Sequence, residues 1–482
     1  MGTGTPLKSI LRAFAVLGAS SLVTVLAGLI TMKVVAFELG PSGLGLLALL
    51  QSLAGVAAIV AGFGIATALV RHGADALSGD DTGDLDGLWS AAWMVFWAFS
   101  VPMSVAIFVF RIPIAGFFLG DSGESQAVAW ASLALPLVLA GALNTAFINA
   151  NHRVSLLARQ AVYVAVGQTI MAVFIIVMMG RSGVPLIVVS GGAIMWAASR
   201  WMLTRHFPDR SRVGLGRGAK SVRPLLGFGG PYAMSSMFGA GVLFLLPVMV
   251  VAMFDEASVG YVRAASAISV TYVGFLLAAM SQDYFPRLSA VSRDHKTVNE
   301  MVNQQLNVIY LIAVPFIFLA MALAPVAIPI LYSDSFEPSV GVLEWQLVGD
   351  VFKFASWALA FTILARGRTW TFFGTEAIAG GLLLVTTFVA LSVVGLQGYG
   401  LAYAVSYALY LVAVYVLVHK EIGFRFTGAN LQTVALLGAG TVAVRILMLA
   451  VDTGWVYLVP GVLGIITALL SIRRGAGLWR TS

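Results

Sequence analysis

The 482-residue sequence contains no cysteine. Disulfides, thiolate metal sites, iron–sulfur clusters, covalently attached haem and a thiol nucleophile are therefore excluded. Charge is also scarce. Asp, Glu, Lys and Arg make up 10% of the chain, against about 25% in soluble domains. That rules out a water-soluble globular enzyme, and also a disordered chain, which needs low hydrophobicity and high net charge. Histidine is rare too. His72, His152, His206, His295 and His419 are scattered, and no two have the i,i+4 spacing of a metal site. The stretch GLGRGAKS (214–221) faintly resembles a phosphate loop. No glycine directly precedes Lys220 and no strand leads in, so it reads as a basic loop. Neither an ATP site nor a cofactor is expected.

What the chain has is apolar sequence: 60% of its residues, with a mean hydropathy of +0.95. A membrane helix takes about 20 apolar residues. Fourteen such runs are read, near 13–36, 44–70, 88–110, 127–150, 155–179, 184–204, 225–253, 257–280, 306–331, 342–365, 369–393, 398–418, 431–451 and 455–472. Their continuous apolar character excludes a β-barrel, which alternates. The fold class is all-α, a polytopic membrane protein. The first run follows Lys8 and Arg12 but is too long for a signal peptide, so it reads as a retained helix. With the N-terminus inside, only Arg111 and Arg181 of the 28 Lys and Arg residues fall in outside loops. Lys33, Arg263, Lys353 and Arg445 lie within spans, and all the others are inside. This bias places both termini in the cytoplasm. It also explains the net charge of +7 and the pI of 9.7, with no nucleic-acid partner.

Two halves repeat. LGPSGLGLL (39–47) sits where DEASVGYVR (255–263) recurs, aligning Gly45 with Gly260, and VVS (188–190) aligns with AVS (404–406). The steady offset indicates two parallel six-helix repeats, over 1–212 and 213–424, with an appended helix pair and tail over 425–482. Parallel repeats are a transporter architecture, with the substrate held between the lobes.

Charge at membrane depth costs at least ~2.5–3.5 kcal/mol on insertion scales and asks for a reason. Gln346, Asp350, Lys353 and Trp357 form one stripe of helix ten. Two readings fit the Asp350–Lys353 pair: a self-neutralised structural ion pair, or a wall of a translocation cavity. Lys33 and Arg263 either line the cavity or snorkel. Together with Lys353 they lie in the outer half, on helices of both lobes, as an anionic substrate would require. Glu376 reads as a proton-coupling carboxylate or a helix-packing partner, and Arg445 as structural or snorkelling. Gln51, Asn144, Asn149, Gln168, Ser266, Ser269 and Tyr272 suit a hydroxylated head group or simple interhelical hydrogen bonds. Asp80, Asp81, Asp84 and Asp86 read as a solvated acidic loop.

The opening stretch KVVAFELGPSGLGLLALLQSLAG (33–55), closing on GIATALVRHGA, resembles the opening hairpin of bacterial polysaccharide flippases. These belong to the multidrug/oligosaccharidyl-lipid/polysaccharide exporter superfamily. SVGYVRAASAIS (258–269), DYFPRLS (283–289) and WQLVGDVFK (345–353) are similar to the branch that flips the enterobacterial common antigen intermediate and related O-antigen units. The likeness runs over about residues 8–420, and helices thirteen and fourteen depart from the twelve-helix pattern. It implies that an undecaprenyl-pyrophosphate-linked oligosaccharide moves from the inner to the outer leaflet of the bacterial cytoplasmic membrane. Two lobes would alternate access around a cationic cavity, with polysaccharide polymerase and chain-length proteins as partners. Lys33, Arg263, Asp350 and Lys353 fall inside matched stretches. Gln51 joins them as a cavity residue, and Arg71 closes the hairpin where the family places a basic residue. Glu376 lies outside those stretches and rests on its depth alone. The alternatives are a lipid II flippase and a cation-coupled exporter of the same superfamily, the latter expecting an acidic cavity. A polyprenyl-linked sugar enzyme would need a long outside loop, and the longest here is roughly 111–126.

Overall fold

The computed structural model describes residues 6–78, 82–208, 219–451 and 453–481. Asp80 and Asp81, the 212–213 boundary and residues 214–218 of the basic loop lie outside them. Among the described residues there are helices and no strands, as lipid demands of a chain that must satisfy its own backbone. In order they are α1 (Pro6–Gly62), α2 (Ile65–Ser78), α3 (Thr82–Val109), α4 (Arg111–Phe118), α5 (Ser125–Ala150), α6 (Val154–Met179), α7 (Val184–His206) and α8 (Ala219–Met253). Then come α9 (Glu256–Ala279), α10 (Phe285–Ala290), α11 (His295–Leu331), α12 (Pro338–Ala365), α13 (Thr369–Val394), α14 (Gly398–Ile422), α15 (Gly428–Ala450) and α16 (Leu458–Thr481).

Eleven helical stretches are long and apolar enough to cross a membrane. Three of them, Ser20–Gly62, Val154–His206 and Thr369–Ile422, are 43, 53 and 54 residues long, about twice what one crossing needs. Each is broken in its middle. Gly40 breaks the first with φ 65 and ψ −165, and short 3-10 turns at Gly180–Gly183 and Gly395–Gln397 break the others. Fourteen crossings result, matching the apolar runs, and the chain is a multi-pass membrane protein. Ile170, Val177 and Met178 on α6 and Val385 and Val393 on α13 turn outward, exposed for lipid.

The helix start that departs furthest from the sequence reading is that of the ninth run. The ninth run was expected from 306, but α11 begins at His295. Its first turns are polar, so an apolar count passes over them. Asp294 fixes the start, accepting from Lys296 N (3.1 Å), Thr297 N (3.3 Å) and Thr297 Oγ1 (2.6 Å), as an N-cap does.

The chain divides into two compact units, Met1–Gly260 and Tyr261–Ser482. In the first, α5 and α7 pack most extensively, then α1 and α6. Asn144 Nδ2 donates to Ser199 Oγ at 3.1 Å and Gln168 Nε2 to the Gly191 carbonyl at 3.0 Å. These two polar residues therefore hold helices together. In the second unit α12 is the central helix, packed against α14, α11, α15 and α13, while α16 lies along α11. The last two helices thus belong to the body of this unit.

The repeat is written into the backbone. α6 and α13 are both 26 residues long and start 215 positions apart. The corner before each has the same geometry: Asn151 (φ −80, ψ 12) matches Arg366 (φ −82, ψ 1), and Arg153 (φ −87, ψ 62) matches Arg368 (φ −84, ψ 64). Between them His152 (φ 54) and Gly367 (φ 72) are both left-handed. Both helices end on a positive-φ glycine, Gly180 and Gly395. The second helix of each repeat is also interrupted, by Phe63 and Gly64 (φ 46 and 67) in one copy and by a π turn over Met280–Tyr284 in the other.

At the repeated motif the chain crosses itself closely. A Cβ on Gly45 would come within 2.0 Å of the Glu256 carbonyl oxygen, and one on Gly260 within 2.0 Å of the Pro41 carbonyl oxygen. Only glycine permits that approach. Beside it Arg181 bridges Glu124 (3.0 Å) and Glu256 (2.8 Å).

Candidate functional site

Most of the ionisable residues expected at depth lie in the second unit, on α9, α12, α13 and α15. Asp350 is fully buried in the middle of α12. Its Oδ2 accepts from Ser269 Oγ at 3.0 Å and from the Tyr272 hydroxyl, both on α9, and its Oδ1 accepts from the Tyr403 hydroxyl of α14 at 2.8 Å. Three hydroxyl donors supply what a buried carboxylate needs in place of water.

Lys353, half-buried one turn along α12, does not pair with Asp350 directly: among the described residues no ion pair joins them. Tyr403 stands between. Its hydroxyl accepts from Lys353 Nζ at 2.9 Å while donating to Asp350. The ammonium lies 5.2 Å from the Tyr403 ring centroid and 4.9 Å from that of Tyr407, within cation–π range. This corrects the self-neutralised pair of the sequence reading. Spacing of i,i+3 puts both residues on one face, but a tyrosine from α14 is interposed.

The close approach of Tyr403 depends on one glycine. A Cβ on Gly349 would meet Tyr403 Cδ1 at 2.5 Å and Ala404 Cα at 2.9 Å. Small residues at membrane helix interfaces allow such contacts. Gln346, on the same stripe, donates to Ser266 Oγ at 2.8 Å, and its buried Oε1 has no partner among the described residues. Trp357 packs its ring edge-on against Phe361.

Tyr403 belongs to a row that sequence reasoning missed. Tyr399, Tyr403, Tyr407 and Tyr410 recur at helical spacing on α14. Tyr403 and Tyr407 rings are 4.7 Å apart, Tyr407 and Tyr410 6.4 Å. Tyr399 hydrogen-bonds Ser266. Tyr410 donates to Glu376 Oε1 at 3.0 Å, so Glu376 on α13 joins the same network. The signal was the i, i+4, i+8, i+11 pattern, hidden because tyrosine counts as apolar. Arg263, on α9, is exposed at its own surface although protein surrounds it closely, and its electrostatic neighbours are Tyr332 and Tyr399.

A second charged cluster lies toward the start of α12. Arg445 of α15 is buried against Glu344 at 2.7 Å, with side chains 4% and 1% exposed. It donates to Gln397 at 2.9 Å and stacks over Trp345 at 5.8 Å. Burial removes the snorkelling option for Arg445. Glu344 escaped the sequence reading.

The remaining candidates lie in the first unit. Lys33 is half-buried on α1, Gln51 is exposed on the later part of α1, and Arg71 is exposed on α2. Among the described residues no group of three or more His, Asp or Glu side chains has metal-binding geometry.

Comparison with known proteins follows this geometry. A family model described as polysaccharide biosynthesis protein matches residues 34–341. A lipid III flippase of Escherichia coli (strain K12) is 24% identical over 415 residues, covering 83% of this chain and 96% of that protein. Among solved structures, the lipid II flippase MurJ in an inward closed conformation aligns with a TM-score of 0.72 at 14% identity, over 96% of this chain and 99% of that one. An inward-facing multidrug resistance MATE family transporter of the MOP superfamily aligns at 0.69 and 15% identity, over 83% and 94%. With the family model covering well over half of its length, the chain belongs to the polysaccharide biosynthesis protein family.

Proposed function

We propose that this protein is a flippase for an undecaprenyl-pyrophosphate-linked oligosaccharide of O-antigen or common-antigen type. It is a transporter rather than an enzyme. It would carry that lipid from the inner to the outer leaflet of the bacterial cytoplasmic membrane by alternating access, with both termini cytoplasmic. The observation that carries the reading is the network around Lys353. An ammonium held at membrane depth by two tyrosine rings and one hydroxyl is unneeded for packing alone and suits an anionic head. An ammonium has three donors, and one conventional hydrogen bond is made. The match with a lipid III flippase over nearly its whole length supports the same substrate class.

In this reading Lys33, Gln51, Arg71, Arg263, Asp350 and Lys353 line the path, and Glu376 serves coupling. Ser266, Tyr399 and Gln346 supply hydroxyl and amide groups for sugars. Polysaccharide polymerase and chain-length proteins would receive the product. A lipid II flippase is the second reading, favoured by a structural likeness that reaches into the last helix pair.

The test is to delete the gene and identify the undecaprenyl-linked oligosaccharide that accumulates in the inner leaflet. A common-antigen or O-antigen type unit is expected. Accumulation of lipid II selects the second reading, and no accumulation of any lipid-linked glycan refutes both.

A further inference from the structure

We infer that α15, the first helix of the appended pair, is a brace that sets where the Lys353 ammonium sits, with Arg445 and Gly438 as positioning residues. This rests on the flippase reading above, in which Lys353 holds the pyrophosphate, and it gives the appended pair a part in that function.

An apolar side chain gains little by leaving lipid for protein, so the polar and small residues of a membrane helix mark its docked face. On α15, Asn430, Val434, Gly438, Thr441, Arg445 and Met448 recur at helical spacing, and all are buried. Leu431, Leu436, Ile446 and Leu449 lie on the rest of its surface and are exposed. Three residues of the buried stripe make specific contacts. Near the start, Asn430 Nδ2 donates to the Asn303 carbonyl of α11 at 2.8 Å. In the middle, Gly438 receives the Phe352 ring of α12, since a Cβ there would come within 2.8 Å of Phe352 Cζ. Toward the end, Arg445 holds Glu344 of α12 at 2.7 Å and donates to Gln397 at 2.9 Å. Gln397 directly precedes α14.

The seat of Lys353 is made where α12 and α14 meet. One helix carries the ammonium, and the other carries the Tyr403 and Tyr407 that hold it. Arg445 ties those same two helices together at one end. The fit there is tight: a Cβ on Gly341 would come within 2.8 Å of Gln397 Cδ and 3.1 Å of Arg445 Nη2. Phe352 is the neighbour of Lys353 in the chain, about 12 Å along the helix from Glu344 at 1.5 Å per residue. Two fastenings that far apart hold α12 against both sliding and turning, and turning would swing Lys353 off its tyrosines. The ion pair is better suited to placing than to stabilising. Apolar residues of similar size match a buried pair in stability, and its best-attested use is to fix register. Arg445 Nε is buried with no hydrogen-bond partner among the described residues, which makes the pair a still poorer source of stability.

The experiment uses the full chain in detergent, its lysines reductively dimethylated with isotope-labelled formaldehyde for NMR. Dimethylation keeps the charge, and the rings of Tyr403 and Tyr407 shift the Lys353 methyl signal upfield. Lys353→Arg identifies that signal by its loss. Denaturant unfolding and calorimetry with undecaprenyl pyrophosphate are run on the unlabelled proteins. In Glu344→Leu with Arg445→Met the unfolding midpoint should stay near wild type. The Lys353 signal should nevertheless move downfield, and affinity should fall about tenfold, the value of one hydrogen bond to a charged group. A purely structural pair would leave signal and affinity alone once stability is restored. Gly438→Ala should move the signal the same way, and adding Phe352→Leu, which removes the colliding ring tip, should bring it back. This second pair covers the case in which the first does not fold. A Lys353 signal that stays in place in the folded variants overturns the inference, whatever affinity does. A signal that moves upholds the brace, and if affinity then holds, or the wild type never binds, the flippase reading beneath it is what falls.

Discussion

Arg445→Met offers the sharpest test of how the last helix pair is held. The substitution keeps an unbranched apolar stem and removes the guanidinium. It leaves the Glu344 carboxylate, whose side chain is 1% exposed, without the cation 2.7 Å away, and Gln397 Oε1 without its donor. Removing one partner of a buried ion pair costs about 3–5 kcal/mol, because the other charge stays buried and unpaired. Replacing both partners by apolar residues is often neutral, so Glu344→Leu with Arg445→Met should lie within about 1–2 kcal/mol of wild type. The two single variants and the double close a thermodynamic cycle whose coupling, the two singles together less the double, should exceed about 4 kcal/mol. Equilibrium unfolding in mixed detergent micelles, followed by tryptophan fluorescence, reads all four proteins. If Arg445→Met costs less than about 1 kcal/mol, or the double variant is as unstable as the singles added together, the pair does not anchor α15 to α12 and the reasoning fails.

Two further outcomes follow from particular contacts. Gly349→Ala drives a Cβ into Tyr403 and the backbone of Ala404; overpacking of this kind costs about 1–3 kcal/mol and shifts the hydroxyl that joins Asp350 to Lys353. Flipping of a fluorescent polyprenyl-pyrophosphate glycan in proteoliposomes should fall, whereas Gly374→Ala, which meets open space on α13, should leave it unchanged; equal effects would count against the tyrosine bridge. Asp294→Ala removes the cap of α11. The Thr297 hydroxyl, helped by the Thr297 and Lys296 amides, holds the Asp294 carboxyl below its ordinary value of 3.8. Its stabilisation is thus complete above that value and fades as pH falls through the lowered one. Wild type should be the more stable at pH 7, the gap should close in acid, and a gap independent of pH would contradict the capping assignment.

The apolar runs made the crossings legible, since a helix in lipid must be long and continuous. They were blind to polar helix, which is why His295–Leu331 began earlier than hydropathy indicated. At the site, Asp350, Lys353 and Glu376 stood out because charge at depth is rare. Their partners did not stand out, because Ser269, Tyr272, Tyr403 and Tyr410 become meaningful only once folding brings α9 and α14 beside α12. Glu344 was missed for the opposite reason: it lies close to the start of its helix, where a carboxylate raises no alarm until Arg445 is found against it.

The crossing at Gly45 and Gly260 has a consequence of its own. Glu256 and Gly260 occupy the repeat positions of Pro41 and Gly45. Gly45 meets the carbonyl of residue 256, and Gly260 meets the carbonyl of residue 41. The contact is reciprocal, as at an isologous interface, where position i touches j on the other copy and j touches i. A single chain therefore preserves here the local symmetry of a homodimer. The two glycines are therefore required as a pair, since a side chain larger than hydrogen at either one collides with the backbone that carries the other.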